Sequence, residues 1–293
     1  MNKIYKITLT IIMSLIFLLP GCSFISLDLM DLMQIQPFEE RVFQKGSKDK
    51  VLVIEILGMI TTTSTRDGFF RKQGTLERLD SVLKKAVKDN HIKGLIIRID
   101  SPGGGMTASD LVYRRLVSFK NEHNLPAVAC ITNQGTSGAY MAALSADKIV
   151  ALPSSIVGNV GVILPSVSLE GLMDKLGIDN QTITSGKFKD TGNPLRDMTD
   201  ADMDILKAIV MEFYDMFINR VKEVRPVTDE DIAVIGDGRV MSASVGTKHH
   251  LIDQVGYYED SIKAIEALAN IEKPTVIVYR RQGENSGSFY SWP

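Results

Sequence analysis

Residues 127–146 read AVACITNQGTSGAYMAALSA, and this stretch sets the architecture of the chain. Its first six residues form an apolar run that is typical of a buried strand. Residues 137–144 favour a short helix, so the segment NQGTSGAY at 133–140 joins a strand to a helix. Ser137 lies in that junction between small residues, where a nucleophilic hydroxyl would be presented. The junction differs from the G-x-S-x-G elbow of α/β-hydrolases, because Ala139 stands where the second glycine is needed.

Strand-like runs alternate with helical patterns on both sides of this stretch. Buried strands are predicted at VLVIEI (51–56), GLIIRI (94–99) and KIVAL (148–152). Helices are predicted between them, at residues 75–87 and 107–123, the first with apolar side chains spaced for one face. Such alternation predicts parallel βαβ units and an α/β fold.

The second half of the chain continues this pattern less regularly. Strands are predicted at GNVGVI (158–163) and NQTITS (180–185), with a short helix at 170–176 between them. A long amphipathic helix is predicted at 200–223, and Thr199 is placed to cap it. A small strand-and-helix region then closes the domain and ends in the strand TVIVY.

The N-terminus has the pattern of an export signal. Lys3 and Lys6 precede an apolar run at 7–20, which is shorter than the roughly 20 residues that span a bilayer. The sequence LPGC at the end of this run resembles a bacterial lipobox, and Cys22 would then be lipidated. An uncleaved signal anchor that extends into FISLDLM is the alternative. Both interpretations predict a folded part held at a membrane outside the cytoplasm, in the bacterial cell envelope.

These signals divide the chain into four parts. An export segment at 1–22 is followed by a tether at 23–48, a single folded domain at 49–280 and a flexible tail at 281–293. The tail is assigned because GENSGSFYSWP is rich in small and polar residues.

Composition argues against several classes of function. The formal net charge is −2 and the basic residues are dispersed among acidic ones, so nucleic-acid binding is not expected. Two cysteines, Cys22 and Cys130, are too few for a disulfide framework or a structural zinc site. Cys130 falls within the apolar run AVACIT and is interpreted as a buried small hydrophobe.

A serine nucleophile needs a neighbouring group to accept its proton, and the four histidines are poorly placed for this role. His91 and His123 precede strands, whereas Ser137 follows one, at the opposite edge of a parallel sheet. His249 and His250 are adjacent in a polar segment, so their side chains point in different directions. A Ser-His-Asp triad is therefore disfavoured, and a Ser-Lys dyad is the other option.

Two loops are candidates for the rest of such a site. SGKFKD at 185–190 follows a predicted strand and contains two lysines, and a desolvated lysine can act as a base. Residue types alone do not choose among the many lysines, and a solvated loop is the simpler interpretation. DSPGGG at 100–105 ends a strand and opens a helix, so its backbone amides can face an anion. The alternative for this segment is a plain turn, because three glycines alone are a weak signal.

Three ordered motifs make the chain resemble the signal peptide peptidase A family, which are serine peptidases with a ClpP/crotonase-like fold. IIRIDSPGGG is similar to the strand and oxyanion turn of that family. GTSGAYMAALSADKIVALPSSIVGNVGVI resembles its nucleophile segment, and TSGKFKDTGNPLRDMTD resembles the segment around its general-base lysine. The similarity covers residues 51–268.

The resemblance implies a fold and a role for individual residues. The fold would be a repeated ββα core with a long helix and a small C-terminal α/β extension. Ser137 would be the nucleophile, Lys189 the general base, and the amides of Gly104 and Gly138 the oxyanion hole. Asn159 replaces a serine that hydrogen-bonds the lysine in the family, and its side-chain carbonyl oxygen could accept the same bond.

The resemblance also implies an assembly and an activity. The assembly would be a homo-oligomer such as an octamer, with the serine and the lysine supplied by adjacent subunits. No metal, nucleotide or other cofactor is expected. The expected activity is endopeptidase cleavage of remnant signal peptides or other short hydrophobic peptides. The alternatives are a non-catalytic oligomeric membrane scaffold of the same fold and a crotonase-like acyl-CoA enzyme, against which the export signal argues.

Overall fold

The computed structural model describes residues 36–67, 70–284 and 289–290. The predicted export segment, Cys22 and the first part of the predicted tether lie outside these residues. The described strands are β1 (Glu39–Gln44), β2 (Lys50–Leu57), β3 (Thr65–Asp67), β4 (Phe70–Lys72), β5 (Ile92–Ser101), β6 (Ala127–Thr136), β7 (Lys148–Ala151), β8 (Ile156–Gly158), β9 (Val240–Ser242), β10 (Gln254–Val255) and β11 (Thr275–Arg280). The described helices are α1 (Thr75–Ala86), α2 (Met106–Glu122), α3 (Gly138–Ala143), α4 (Glu170–Leu176), α5 (Asp200–Val224), α6 (Asp229–Ile235), α7 (Ala243–Lys248) and α8 (Tyr258–Ala269).

The main sheet is parallel through its centre. Its described strands follow the order β1-β11-β2-β5-β6-β7-β10, and every neighbouring pair from β11 onward is parallel. β6 runs past β7, because its first half pairs with β7 and its last three residues pair with β8. The carboxyl end of β6 therefore lies at the edge of the sheet where sites gather in α/β proteins.

Helices cover both faces of this sheet. Alternate residues of a strand point to opposite faces, and in β2 Leu52 and Ile54 belong to one buried cluster whereas Val51 and Val53 belong to the other. Helices α1, α2, α3 and α5 pack in the first cluster, and α8 packs in the second. Burial on both faces explains why the central strands are continuous apolar runs. The predicted α/β class is confirmed.

Described residues in two segments that were predicted to lie outside the domain are part of it. The predicted tether at 23–48 extends too far, because residues 39–44 form β1 and pair antiparallel with β11. The predicted flexible tail at 281–293 contains Phe289, which is buried and stacks on Tyr258 with ring centroids 3.8 Å apart. Burial of a large aromatic ring is favourable even where the surrounding sequence is rich in small and polar residues.

The two strands predicted between residues 158 and 185 are largely wrong. Of GNVGVI only Gly158 lies in a strand, as the last residue of β8, and residues 159–169 have no regular secondary structure. NQTITS at 180–185 is exposed coil, and none of the described strands pairs with it. Strand propensity has no effect without a partner for the backbone groups.

The long helix is confirmed, together with its cap. Thr199 and Asp202 form a capping box at the start of α5. Its buried apolar residues lie in its second half, whereas Met203 and Met211 in the first half are 47% and 44% exposed. Within the described ranges, none of the helices is long and apolar enough to cross a membrane.

Candidate active site

Ser137 lies where β6 passes into α3, in a strained backbone conformation. Its φ is 53° and its ψ is −128°, a region that residues with a side chain rarely adopt and that costs of order 1–3 kcal/mol. Hydrogen bonds hold the turn on both sides. The amide of Ser137 donates to Gly158 O at 2.9 Å, and Met141 N donates to Ser137 O at 3.1 Å. Strain of this kind is found mainly at functional sites, where the surrounding structure imposes it.

The glycine-rich turn after β5 packs directly against the serine turn. A Cβ on Gly103 would lie 2.7 Å from Gly138 N and 2.9 Å from Ser137 Cβ. Gly103 also has a φ of +97°, which glycine adopts without steric cost. The close approach of these two turns therefore depends on glycine at this position.

The backbone amides of Gly104 and Gly138 lie next to each other at this contact. A Cβ on Gly138 would lie 3.5 Å from Gly104 N. The bridge between Ile60 and Gly104 uses the carbonyl of Gly103 and the amide of Gly105, so it leaves the Gly104 amide out. Gly138 is the first residue of α3, and amides in the first turn of a helix have no intrahelical acceptor. Two such amides beside a serine are suited to stabilise an oxyanion.

A groove of about 690 Å³ opens beside Ser137. Its volume lies in the range of pockets that bind small ligands. Side chains of α5 form one wall of the groove, and the apolar lining of the groove is rich in methionine. The large apolar residues that line it include Met59, Met106, Met141, Ile163, Met211 and Phe217. Flexible thioether side chains adapt to different apolar shapes, so the groove is suited to an apolar peptide segment.

Asn159 lines the groove and is held from two directions. Its φ is 52°, its backbone amide donates to Arg239 O at 2.8 Å, and its Nδ2 donates to Gly238 O at 2.7 Å. The side-chain amide nitrogen therefore already donates a hydrogen bond, whereas Oδ1 accepts none from the described residues. Oδ1 is the atom that can accept a hydrogen bond from a lysine or a substrate.

Lys189 does not join the other predicted site residues within one chain. Ser137, Gly104, Gly138 and Asn159 all line the groove, whereas Lys189 is not among its lining residues. The Lys189 side chain is exposed, in a series of turns between α4 and α5. The structure thus assembles four of the five predicted residues and presents the fifth to solvent.

The sequence analysis did not identify Ser109, which packs against Gly138 beside the pair of backbone amides. This residue is fully buried in α2, and its Oγ donates to Gly105 O at 3.0 Å. A Cβ on Gly138 would overlap Ser109 Oγ and would lie 2.7 Å from Ser109 Cβ. A serine one turn into a helix follows no motif, so the sequence carried no signal for this contact.

The histidines and Cys130 take no part in the groove. None of the four histidines is among its lining residues. His249 Nδ1 lies 2.9 Å from Asp231 Oδ1, in a pair that is separate from Ser137. Cys130 is fully buried, and this burial raises the pKa of its thiol to about 11. The interpretation of Cys130 as a buried hydrophobe is confirmed.

A strained serine beside an apolar groove and two backbone amides without an acceptor among the described residues is typical of enzymes that form an acyl intermediate on serine. Comparison with known proteins places the chain within this class. Residues 120–272 match the model of peptidase family S49. The chain belongs to that family and is a serine peptidase.

Individual relatives extend this similarity over most of the chain. A protein of Methanocaldococcus jannaschii described as a protease is 37% identical over 224 residues, which cover 76% of this chain and 71% of that protein. A protein of Enterococcus faecium described as a signal peptide peptidase is 28% identical over 254 residues, which cover 87% of this chain and 73% of that protein. A solved structure of a membrane-bound stomatin-specific protease with a substrate peptide has a TM-score of 0.47 and 18% identity, and covers 79% of this chain and 91% of that chain.

The family resemblance inferred from the sequence is thereby confirmed, together with the assignment as a serine peptidase. The acyl-CoA enzyme and the non-catalytic scaffold find no support in these matches. The roles of individual site residues stay predictions.

Proposed function

We propose that this chain is a membrane-tethered serine endopeptidase with a Ser137–Lys189 dyad, whose lysine comes from a neighbouring copy of the chain. The observation that carries the proposal is the strained Ser137 at the edge of an apolar groove, next to the backbone amides of Gly104 and Gly138. The proposed substrates are remnant signal peptides or other short hydrophobic peptides. An apolar groove and a relative described as a signal peptide peptidase support this substrate class.

The proposed reaction follows from the positions of these groups. Ser137 Oγ attacks the peptide carbonyl carbon while Lys189 Nζ takes the hydroxyl proton. The amides of Gly104 and Gly138 hydrogen-bond the oxyanion that forms. The ammonium of Lys189 then returns the proton to the leaving amine as the C–N bond breaks. Water, deprotonated by the same lysine, hydrolyses the acyl ester and restores Ser137.

Two observations support a lysine supplied by a second copy. Lys189 is exposed, and the segment that carries it also exposes large apolar side chains, with Ile183 97% and Ile178 51% exposed. Exposed apolar surface often marks an interface. A copy packed over this segment would take the ammonium out of water and favour the neutral amine that accepts a proton. It would also bring a serine groove within reach of the lysine.

The membrane tether and the location outside the cytoplasm rest on the N-terminal pattern. A positively charged start, a short apolar run and a cysteine after LPG support export followed by lipidation at Cys22. These residues lie outside the described part of the structure. Metabolic labelling with a lipid precursor, compared between the native chain and Cys22→Ser, tests the lipidation.

The dyad is tested with three alanine variants of the full-length protein. Ser137→Ala and Lys189→Ala are expected to abolish hydrolysis of a fluorogenic peptide with leucine at the cleaved position. Lys187→Ala is the matched control, because that exposed lysine lies two residues away in the same loop. Loss of activity in the control, or full activity in Lys189→Ala, would reject the assignment of the base.

Mixing the two inactive variants tests where the lysine comes from. Oligomers assembled from equal amounts of Ser137→Ala and Lys189→Ala are expected to regain activity at about one quarter of their sites, if each site combines two copies at random. A site built within one chain regains nothing, because each copy lacks one member of the dyad. Absence of complementation in oligomers shown to be mixed would refute a shared site.

A further inference from the structure

We propose that Arg196 is a positioning residue that holds the Lys189 loop in place for catalysis. The inference rests on the proposed function, in which Lys189 is the general base. It is drawn from a chain of ion pairs that links this loop to the start of α5.

The first link is a forked contact between Arg196 and Asp190, the residue directly after Lys189. Arg196 Nε donates to Asp190 Oδ2 at 2.8 Å, and Arg196 Nη2 donates to Asp190 Oδ1 at 2.9 Å. Two parallel bonds from a planar guanidinium restrict the orientation of the carboxylate as well as its distance. The backbone next to Lys189 is therefore fixed in direction.

The second link joins Arg196 to the cap of α5. Arg196 Nη1 donates to Asp202 Oδ2 at 2.8 Å. Asp202 is only 1% exposed and also accepts hydrogen bonds from Thr199 and from Thr191 Oγ1, the latter at 2.6 Å. Hydrogen bonds from Arg196 lower the pKa of Asp190 and of Asp202, so both carboxylates stay charged around neutral pH.

The loop needs such an anchor because it has no apolar core of its own. Residues 181–189 are all exposed, and Phe188, the aromatic residue next to the lysine, is 42% exposed. Without buried side chains, the backbone entropy of a loop is opposed only by its polar contacts. The Asp190–Arg196–Asp202 chain connects the lysine to the most buried carboxylate of this region.

Loss of the fork would leave Lys189 present but poorly placed. A displacement of about 1 Å at a catalytic group is enough to cost about 100-fold in rate. The groove that binds the peptide is lined by other residues, so substrate affinity should change little. The signature of a positioning role is therefore a lower kcat at nearly constant KM.

Three variants of the full-length protein test this inference. Arg196→Met removes both links, and Asp190→Ala removes the fork while it leaves the Arg196–Asp202 contact and the α5 cap intact. Arg115→Met is the control, because it breaks an ion pair between Arg115 on α2 and Asp80 on α1 in which both side chains are well exposed. We expect about a 100-fold loss of kcat in the first two variants, a KM within about twofold, and no change in the control.

Oligomer size and thermal stability are measured in parallel, and Asp190→Ala decides the outcome if Arg196→Met fails to fold or assemble. Native kcat in Asp190→Ala, alongside inactive Lys189→Ala, would overturn the positioning role and leave the dyad intact. A joint loss of stability and substrate affinity in Asp190→Ala would overturn it in favour of a purely structural role. Full activity in Lys189→Ala would instead reject the proposed function itself.

Discussion

Replacing Gly138 by alanine tests the packing around the serine turn most directly. A Cβ at this position would overlap Ser109 Oγ and lie 2.7 Å from Ser109 Cβ. Rotation of the hydroxyl relieves the first contact but leaves the second. Gly138 is not among the residues with positive φ, so its backbone accepts alanine and the effect is purely steric.

The size of the effect follows from that overlap. Carbon atoms in contact prefer a separation of about 3.5–4.0 Å, so α2 and α3 must move apart by about 1 Å. Overpacking of this kind costs about 1–3 kcal/mol in the free energy of unfolding. The same shift moves the Gly138 amide and Ser137 from their native positions, which predicts a loss of activity of about 100-fold.

The assay combines urea denaturation with peptide hydrolysis, and it has a control and a rescue. Gly171→Ala is the control, because a Cβ on that helical glycine meets no atom within 4 Å apart from its chain neighbours and the backbone of its own helix. Ser109→Gly in the Gly138→Ala background removes the obstructing Cβ and should restore part of the activity, although glycine in a helix itself costs about 1 kcal/mol. Native activity and stability in Gly138→Ala alone would refute the inferred packing of the amide pair.

Two further predictions concern groups outside the groove. Cys130 is fully buried, and that burial raises the pKa of its thiol to about 11. A maleimide at pH 8 should therefore label Cys130 only after the protein unfolds, as measured by mass spectrometry. Rapid labelling of the native protein would contradict the burial of this residue. Burial opposes ionisation of Asp89, but the hydrogen bonds from Lys50 and from the His91 amide, together with the positive charge of Lys50, outweigh it and lower the pKa. This pair should therefore stabilise the fold fully above the ordinary carboxyl pKa of about 4 and lose that contribution as the pH falls further. Urea denaturation from pH 6 to about pH 3 should show a smaller acid loss in Asp89→Asn, and an identical loss would exclude this pair as a source.

Local patterns predicted the elements that local physics controls. The apolar runs predicted as strands became β2, β5, β6 and β7, which are buried on both faces of the sheet. A strand buried on both faces needs apolar side chains at successive positions, so its sequence is a continuous apolar run. The cap of α5 at Thr199 was predicted because a capping box involves only four consecutive residues. Four of the five predicted site residues came together because the carboxyl ends of parallel strands meet at one edge.

The errors occurred where a distant partner decides the structure. Residues 39–44 became a strand because β11, more than 200 residues away in sequence, offers an edge to pair with. NQTITS has the residue types of a strand and none of the described strands beside it. Phe289 is held by aromatic neighbours from other parts of the chain, which a count of small and polar residues could not indicate.

The sequence by itself determined the α/β class, the serine at the end of the central strand and the family to which the chain belongs, because each is encoded in short contiguous patterns. The tertiary structure alone decided that Ser137 adopts a strained turn, that the amides of two separate segments lie together, and that Lys189 is presented outward on an ion-paired loop. These features depend on distances between residues far apart in sequence, and such distances follow from the packing of the whole fold.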